Sequence, residues 1–253
     1  MKLARRNQII DMINAQRTVK NSELMERFDI SIETVRRDLE YLEQQGYLRR
    51  VYGGAVATAS LGSEQEYAVR TKMHEQEKNA IAAEAARMVE PEDSIYLGVG
   101  TTVQAMAAHV KNIRGLTVFT NALRTAVELS EAPGCSVILP GGQLRAKDLT
   151  LSGYPSEENF ARFNVDKAFI GIGGLTESSV TDFHIGEARL HRQLIRNARQ
   201  SIVLADSGKL GLRAVVNVCP LEEIDIVITD SNAPKPIVKA LEQAGVRVIL
   251  AKV

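Results

Sequence analysis

Arg36 and Arg37, adjacent in a helical stretch, are the first residues whose chemistry is specific. A guanidinium presents a fork of donors that fits guanine O6 and N7, or two phosphate oxygens. Glu33, Thr34 and Tyr41 share their face, and Ser31 stands at the helix start. Thr34 in a first turn can reach a phosphate or a thymine methyl, while Tyr41 is open to either core edge or nucleic acid. A second basic pair, Arg49 and Arg50, lies with Tyr52 beside Gly53-Gly54. On a short β-turn these suit phosphates better than bases. Alone, Arg36 and Arg37 would be ordinary surface cations balanced by Glu33 or Glu40; the elements around them decide.

A different chemistry recurs further along, where six apolar runs end on small, hydroxylated, amide or charged residues. These ends are Gly98-Val99-Gly100-Thr101-Thr102, Thr120-Asn121, Gly141-Gly142-Gln143-Leu144-Arg145 with Lys147, Gly171-Ile172-Gly173-Gly174, Asp206-Ser207-Gly208-Lys209 and Thr229-Asp230. A helix opening on Gly100, Thr101 and Thr102 can cradle a phosphate through backbone N–H groups. One such loop is as often a plain tight turn. Together they point to a pocket for an anionic small molecule. Gly98-Val99-Gly100 lacks the third glycine and ribose-binding acid of a dinucleotide fingerprint, and it is not a Walker loop.

The elements needed to position these residues are legible. Ile9, Ile10, Met12 and Ile13 predict an amphipathic helix over 3–15, followed by a short extended link at Arg17-Thr18-Val19. Asn21 or Ser22 caps a second helix ending at Phe28, with Leu24, Met25 and Phe28 apolar. Asp29-Ile30-Ser31 is a turn, and Ser31 caps a third helix over 32–45 whose buried stripe is Val35, Leu39 and Leu42. Gly46 ends it in a left-handed conformation. Tyr47–Ala55 reads as two strands around Gly53-Gly54. This is a winged helix-turn-helix, mainly α with a β-wing, over residues 1–57. Its third helix would enter the major groove of double-stranded DNA.

Small polar residues make 58–75 a linker, and 76–253 alternates helices with short apolar strands at 94–97, 116–119, 135–139, 168–172, 201–205, 224–229 and 246–251. That alternation predicts an α/β domain with a mostly parallel sheet, whose ligands bind at the carboxyl ends of strands.

Composition excludes several classes. Lys+Arg and Asp+Glu are both 31, so there is no polycationic tail. With 45% hydrophobic and 25% charged residues, the chain can bury a full core and is not globally disordered. No apolar run approaches a membrane span, and the first residues carry no secretory h-region. Cys135 and Cys219 lack metal-ligand spacing, which fits a reducing cytoplasm. Histidines 74, 109, 184 and 191 are scattered; no metal or cofactor is expected, although His184 could reach a ligand.

Ser31-Ile32-Glu33-Thr34-Val35-Arg36-Arg37-Asp38-Leu39 resembles the DNA-binding signature of the DeoR family of bacterial transcription regulators, and Leu48–Ala55 resembles its wing. Asp38 would have a structural role, orienting a guanidinium beside Arg36 and Arg37. Gly100-Thr101-Thr102, Thr120-Asn121, Gly141-Gly142, Phe169-Ile170-Gly171, Asp206-Ser207-Gly208-Lys209 and Ile228-Thr229-Asp230 are similar to blocks of that family's sensor domain. The resemblance implies a fold like ribose-5-phosphate isomerase and an effector that is a phosphorylated sugar or related metabolite. Gly100, Thr101 and Thr102 would hold the phosphate, and Asp206 and Lys209 would contact the sugar or its phosphate. Thr120, Asn121, Gly141, Gly142, Arg145, Lys147 and Gly173 complete the expected site. The family's loop usually begins with Asp two residues before the glycine matching Gly100; here that residue is Gly98. Either another residue accepts the sugar hydroxyls or the effector differs.

The expectation is a repressor of a carbohydrate-utilisation operon, acting as a dimer or tetramer on paired operator half-sites with its affinity tuned by the effector. The alternative is a sugar-phosphate isomerase-like enzyme with an accessory DNA-binding domain.

Overall fold

Ile9, Ile10, Met12 and Ile13 all become buried on one side of α1 (Lys2–Gln16), the first element of a computed structural model that describes residues 2–44, 47–57 and 64–253. The chain forms two units, Met1–His74 and Glu75–Val253.

In the first unit, α1 leads through β1 (Thr18–Lys20) into α2 (Asn21–Phe28), α3 (Ile32–Gln44), β2 (Leu48–Val51), β3 (Gly54–Ala57) and α4 (Tyr67–Lys72). The strands pair antiparallel in the order β1-β3-β2. Leu24, Val35, Leu39, Leu42 and Leu48 share one core with the apolar face of α1. Neither Asn21 nor Ser22 caps α2. Lys20 occupies the cap position and no side chain bonds there. Pairing decides this: Lys20 is held opposite Gly54 in the sheet, and Asn21 N donates to Gly53 O at 2.8 Å, so the helix starts directly off the strand. Asp29 ends α2 in a left-handed conformation, and Ser31 Oγ accepts from Thr34 N at 3.4 Å at the start of α3. Gly46 and residues 58–63 of the expected linker lie outside the described residues. The rest of that linker is not plain chain, since α4 and Met73 add Val69 and Met73 to the core of this unit.

The second unit runs α5 (Glu75–Ala86), β4 (Ser94–Leu97), α6 (Thr101–Val110), β5 (Thr117–Thr120), α7 (Leu123–Ser130), β6 (Ser136–Ile138), β7 (Gln143–Arg145), β8 (Thr150–Ser152), α8 (Tyr154–Phe160) and β9 (Val165–Gly171). It continues β10 (Gly174–Leu175), β11 (Ser179–Asp182), α9 (Ile185–Asn197), β12 (Ala198–Leu204), β13 (Val216–Pro220), β14 (Ile226–Asp230), α10 (Lys235–Gln243) and β15 (Arg247–Ala251). Seven strands form one parallel sheet in the order β15-β14-β12-β9-β4-β5-β6. Strand alternation sends Ile95 and Leu97 to the layer of α5 and α6, and Tyr96 to the layer of α8 and α9. Helices cover both faces, which is why these strands read as continuous apolar runs.

Two smaller pieces differ from the sequence expectation. Residues between the expected strands form the hairpin β7–β8 and a three-stranded sheet β10-β11-β13. Their strands are too short for a period to show. Because β4 has β5 on one side and β9 on the other, the chain reverses its direction of travel between β4 and β9. In open α/β sheets such a switch point is where ligands bind, outside the carboxyl ends of the strands.

Candidate nucleic-acid interface and ligand cleft

The buried stripe of α3 fixes what the helix shows to solvent. Val35, Asp38, Leu39 and Leu42 point inward, so Glu33, Arg36, Arg37 and Glu40 point out, with Thr34 half-buried. Neither Arg36 nor Arg37 has an ion-pair partner among the described residues, so their guanidiniums are available to a ligand. The expected partnership of Asp38 with these arginines is corrected. Asp38 turns into the core and binds Arg5 and Arg6 of α1 instead, at 2.8 Å from each Nε. A helix residue one position beyond Arg37 faces another side, and α1 brings two cations there. Tyr41 is partly exposed, with the Arg6 guanidinium over its ring at 3.7 Å. Its ring face is therefore occupied, a contact worth about 0.5–1 kcal/mol at such a site.

On the wing, Arg49 is exposed, and Tyr52 stands fully exposed in the turn between β2 and β3. Arg50 is exposed but already paired. Its backbone N–H and Nε each donate to Glu43 of α3 at 2.7 Å. The backbone donor first, then the guanidinium, holds the Glu43 carboxyl below its usual range. Arg50 thus fastens the wing to α3, and any phosphate contact by it competes with Glu43.

In the second unit the six expected loops share one edge, because all seven strands run the same way. The β4 and β9 loops meet backbone to backbone. Gly98 N donates to Phe169 O at 2.9 Å, and a Cβ on Gly171 would lie 2.3 Å from Val99 O. Gly100 takes φ +142°, a value open to glycine, and a Cβ there would also press on Gly171. This geometry starts α6 at Thr101 with no side chain capping it, which leaves its first N–H groups without a side-chain acceptor from the cap residue.

Around that edge polar groups are buried in unusual density: Thr120, Asn121, Asp182, Glu187, His191, Asp206, Thr229 and Asp230. Many hold the loops in shape. Tyr96 Oη donates to Asn121 Oδ1 at 2.7 Å, and Asn121 Nδ2 donates to Leu151 O at 3.0 Å. Burial, then the charges of Glu187 and Asp182, pushes the Tyr96 hydroxyl well above its ordinary pKa, so it stays a donor. Thr120 Oγ1 accepts from Ala122 N. Asp206 accepts from Gly208 N at 3.2 Å, and Asp230 accepts from Ser207 N at 2.7 Å and Asn232 N at 2.9 Å. Lys209 extends over the Phe183 ring with its Nζ 5.9 Å from the centroid.

The remaining expected residues lie in and around the hairpin, except Gly173, which precedes β10. Gly141, Gly142 and Lys147 are exposed, and Gly173 is buried against Asp182 and Phe183. Arg145 is committed to two carboxylates, Asp148 and the buried Glu187. It holds the hairpin to the start of α9, a role with no sequence signal because Glu187 lies far along the chain. Sequence reasoning passed over Tyr96 and Asp182 near these loops, and left His191 open between surface and pocket lining. Only burial marks them out.

Residues 5–60 match the DeoR-like helix-turn-helix domain, and residues 73–231 match the DeoR C terminal sensor domain. The HTH-type transcriptional regulator YulB of Bacillus subtilis is 36% identical over 96% of this chain and 95% of its own. The HTH-type transcriptional regulator GolR of Listeria innocua is 34% identical over 98% of both. The glycerol-3-phosphate regulon repressor of Escherichia coli is 31% identical over 94% of each. Ribose 5-phosphate isomerase of Methanocaldococcus jannaschii aligns over 54% of this chain and 55% of its own at 19% identity, with a TM-score of 0.39, too slight a likeness to bear on activity. Two matched domains and relatives along nearly the whole chain make this protein a member of the DeoR family of DNA-binding transcription regulators.

Proposed function

We propose that the protein represses a carbohydrate-utilisation operon by binding operator DNA through α3 and the wing, and that a phosphorylated sugar or related metabolite at the carboxyl edge of the parallel sheet sets its operator affinity. The observation that carries the first half is the exposed Arg36–Arg37 face of α3, without an ion-pair partner among the described residues, in a winged fold. Arg36 and Arg37 read bases or clamp phosphates from the major groove. Ser31, Glu33, Thr34 and Tyr41 flank them, and Arg49, Arg50 and Tyr52 follow the backbone.

Support for the second half is the uncapped start of α6 set among buried polar groups. Gly100, Thr101 and Thr102 take the phosphate. Thr120, Asn121, Gly173, Asp206 and Lys209 surround the sugar, and Gly141, Gly142 and Lys147 approach from the hairpin. The relative named for a glycerol-3-phosphate regulon favours the same ligand class. An effector changes operator affinity only by binding two conformations unequally. One winged helix covers too little DNA for strong specificity, so the working form is a cytoplasmic dimer or tetramer on paired half-sites.

The proposed role is regulation and not isomerisation, since an isomerase needs no DNA-reading face. The test is an operator titration with and without each of a panel of sugar phosphates chosen by thermal shift. A protein that turns over sugar phosphates, or that binds its own promoter region no better than random DNA, is something else.

A further inference from the structure

His191 is a buried ionisable side chain that the fold leaves without a partner. It sits in the middle of α9, 1% exposed, and neither ring nitrogen has a hydrogen-bond partner among the described residues. Its Nδ1 lies 3.7 Å from Asp182 Oδ2, beyond hydrogen-bond reach. Buried polar groups in native proteins nearly always have partners, so an orphan imidazole at a ligand cleft calls for one.

Its surroundings give the direction. Gly98 follows β4 with the same parity as Tyr96, so a side chain there would point at α9. A Cβ on Gly98 would lie 3.3 Å from His191 Nε2, 3.2 Å from the Tyr96 ring and 3.2 Å from Phe169 O. With glycine at 98, no side chain of that residue crowds Nε2 from the loop, and the nitrogen itself is buried. Burial pushes the imidazole pKa down to about 4, so the ring is neutral, with one N–H and one lone pair. The Asp182 carboxylate beside Nδ1 favours the proton on that atom, which leaves the lone pair on Nε2. Asp182 and Glu187 already place negative charge near Tyr96. A neutral acceptor adds none, which matters when the ligand is an anion.

We propose that His191 Nε2 is a specificity-determining acceptor of the effector cleft, taking a hydrogen bond from a hydroxyl of a phosphorylated sugar or polyol over Gly98. The phosphate of the same molecule lies at the start of α6. This deepens the sensor reading and rests on it.

The test compares the full-length protein with His191→Leu and His191→Gln. Calorimetry gives affinities for fructose 6-phosphate, glucose 6-phosphate, ribose 5-phosphate, glycerol 3-phosphate and inorganic phosphate. The wild type should prefer one organic phosphate over inorganic phosphate. His191→Leu should lower that preference roughly tenfold, as expected for one lost hydrogen bond. His191→Gln, which keeps an acceptor, should recover part of it. In the wild type, the 15N resonance of Nε2 should move with the preferred organic phosphate and stay put with inorganic phosphate. An undiminished preference in His191→Leu, or an unmoved Nε2 resonance, overturns the proposal while the sensor reading stands. A wild type that binds inorganic phosphate and no organic phosphate better also overturns it. Binding of none of these probes removes the sensor reading and this inference together. If His191→Leu does not fold, the wild-type resonance decides.

Discussion

Asp38 of α3 takes Arg5 of α1 in a close pair, with Nε at 2.8 Å and Nη2 at 2.6 Å from the same carboxylate oxygen. Arg6 takes the other oxygen. Asp38 is 1% exposed, so one buried carboxylate sets the angle between α1 and the helix that offers Arg36 and Arg37. Asp38→Ala leaves two adjacent cations uncompensated. Breaking a fully buried pair costs about 3–5 kcal/mol, and the partly exposed arginines reduce this to about 1–3 kcal/mol. Urea denaturation measures it. Unchanged stability would mean that α1 is held by its apolar side alone.

Arg36→Ala should leave stability within about 0.5 kcal/mol, because the side chain is exposed and has no ion pair among the described residues. Operator binding should weaken by about 1–3 kcal/mol, with relaxed discrimination at one base pair. Arg49→Ala should instead weaken binding to all sequences alike and lower the salt slope by about one. A selection of binding sites at several salt concentrations separates the two. Equal loss on every sequence for Arg36→Ala would make it a phosphate contact.

Gly171→Ala tests the contact between the β4 and β9 loops. Its Cβ would meet Val99 O at 2.3 Å, so the β4 and β9 loops must part. We expect a loss of about 1–3 kcal/mol, as for other overpacked sites, together with a smaller thermal shift from phosphate ligands. A fully stable variant with an undiminished shift would show that the loops are not locked together.

His191 predicts a pH dependence. Unfolded, its imidazole takes a proton near pH 6.5; folded, burial delays this to about 4. Between those values the unfolded chain binds more protons, so stability rises with pH. This contribution is fully present above pH 6.5 and falls away as pH drops towards about 4. At about 1.4 kcal/mol per unit, the total is roughly 3 kcal/mol. Unfolding free energies across that range should show the slope in the wild type and lose it in His191→Leu. The same slope in both would assign it to other groups.

Much was legible in the sequence because its signals are local. The stripe Val35, Leu39 and Leu42 defines α3, and Ser31 starts it, whatever packs nearby. Apolar runs buried on both faces mark the strands, and their polar ends mark one edge of a parallel sheet. Spacing placed Asp38 beside Arg37 but not its side chain, whose partners were chosen by the docking of α1. Spacing along the chain likewise gave no sign that Arg145 meets Glu187.

By itself, the sequence determined a winged helix-turn-helix followed by an α/β sensor domain, with an arginine pair facing out and phosphate-type loops gathered after the strands. Periodicity, caps and turn residues act within a few positions, so they can be read along the chain. Only the tertiary structure decided the strand order that joins β4 to β9, the glycine contact that frees the start of α6, and the approach of His191 to Gly98. Those are meetings of distant residues. Their free energy comes from packing, burial and charge in three dimensions, which no local pattern carries.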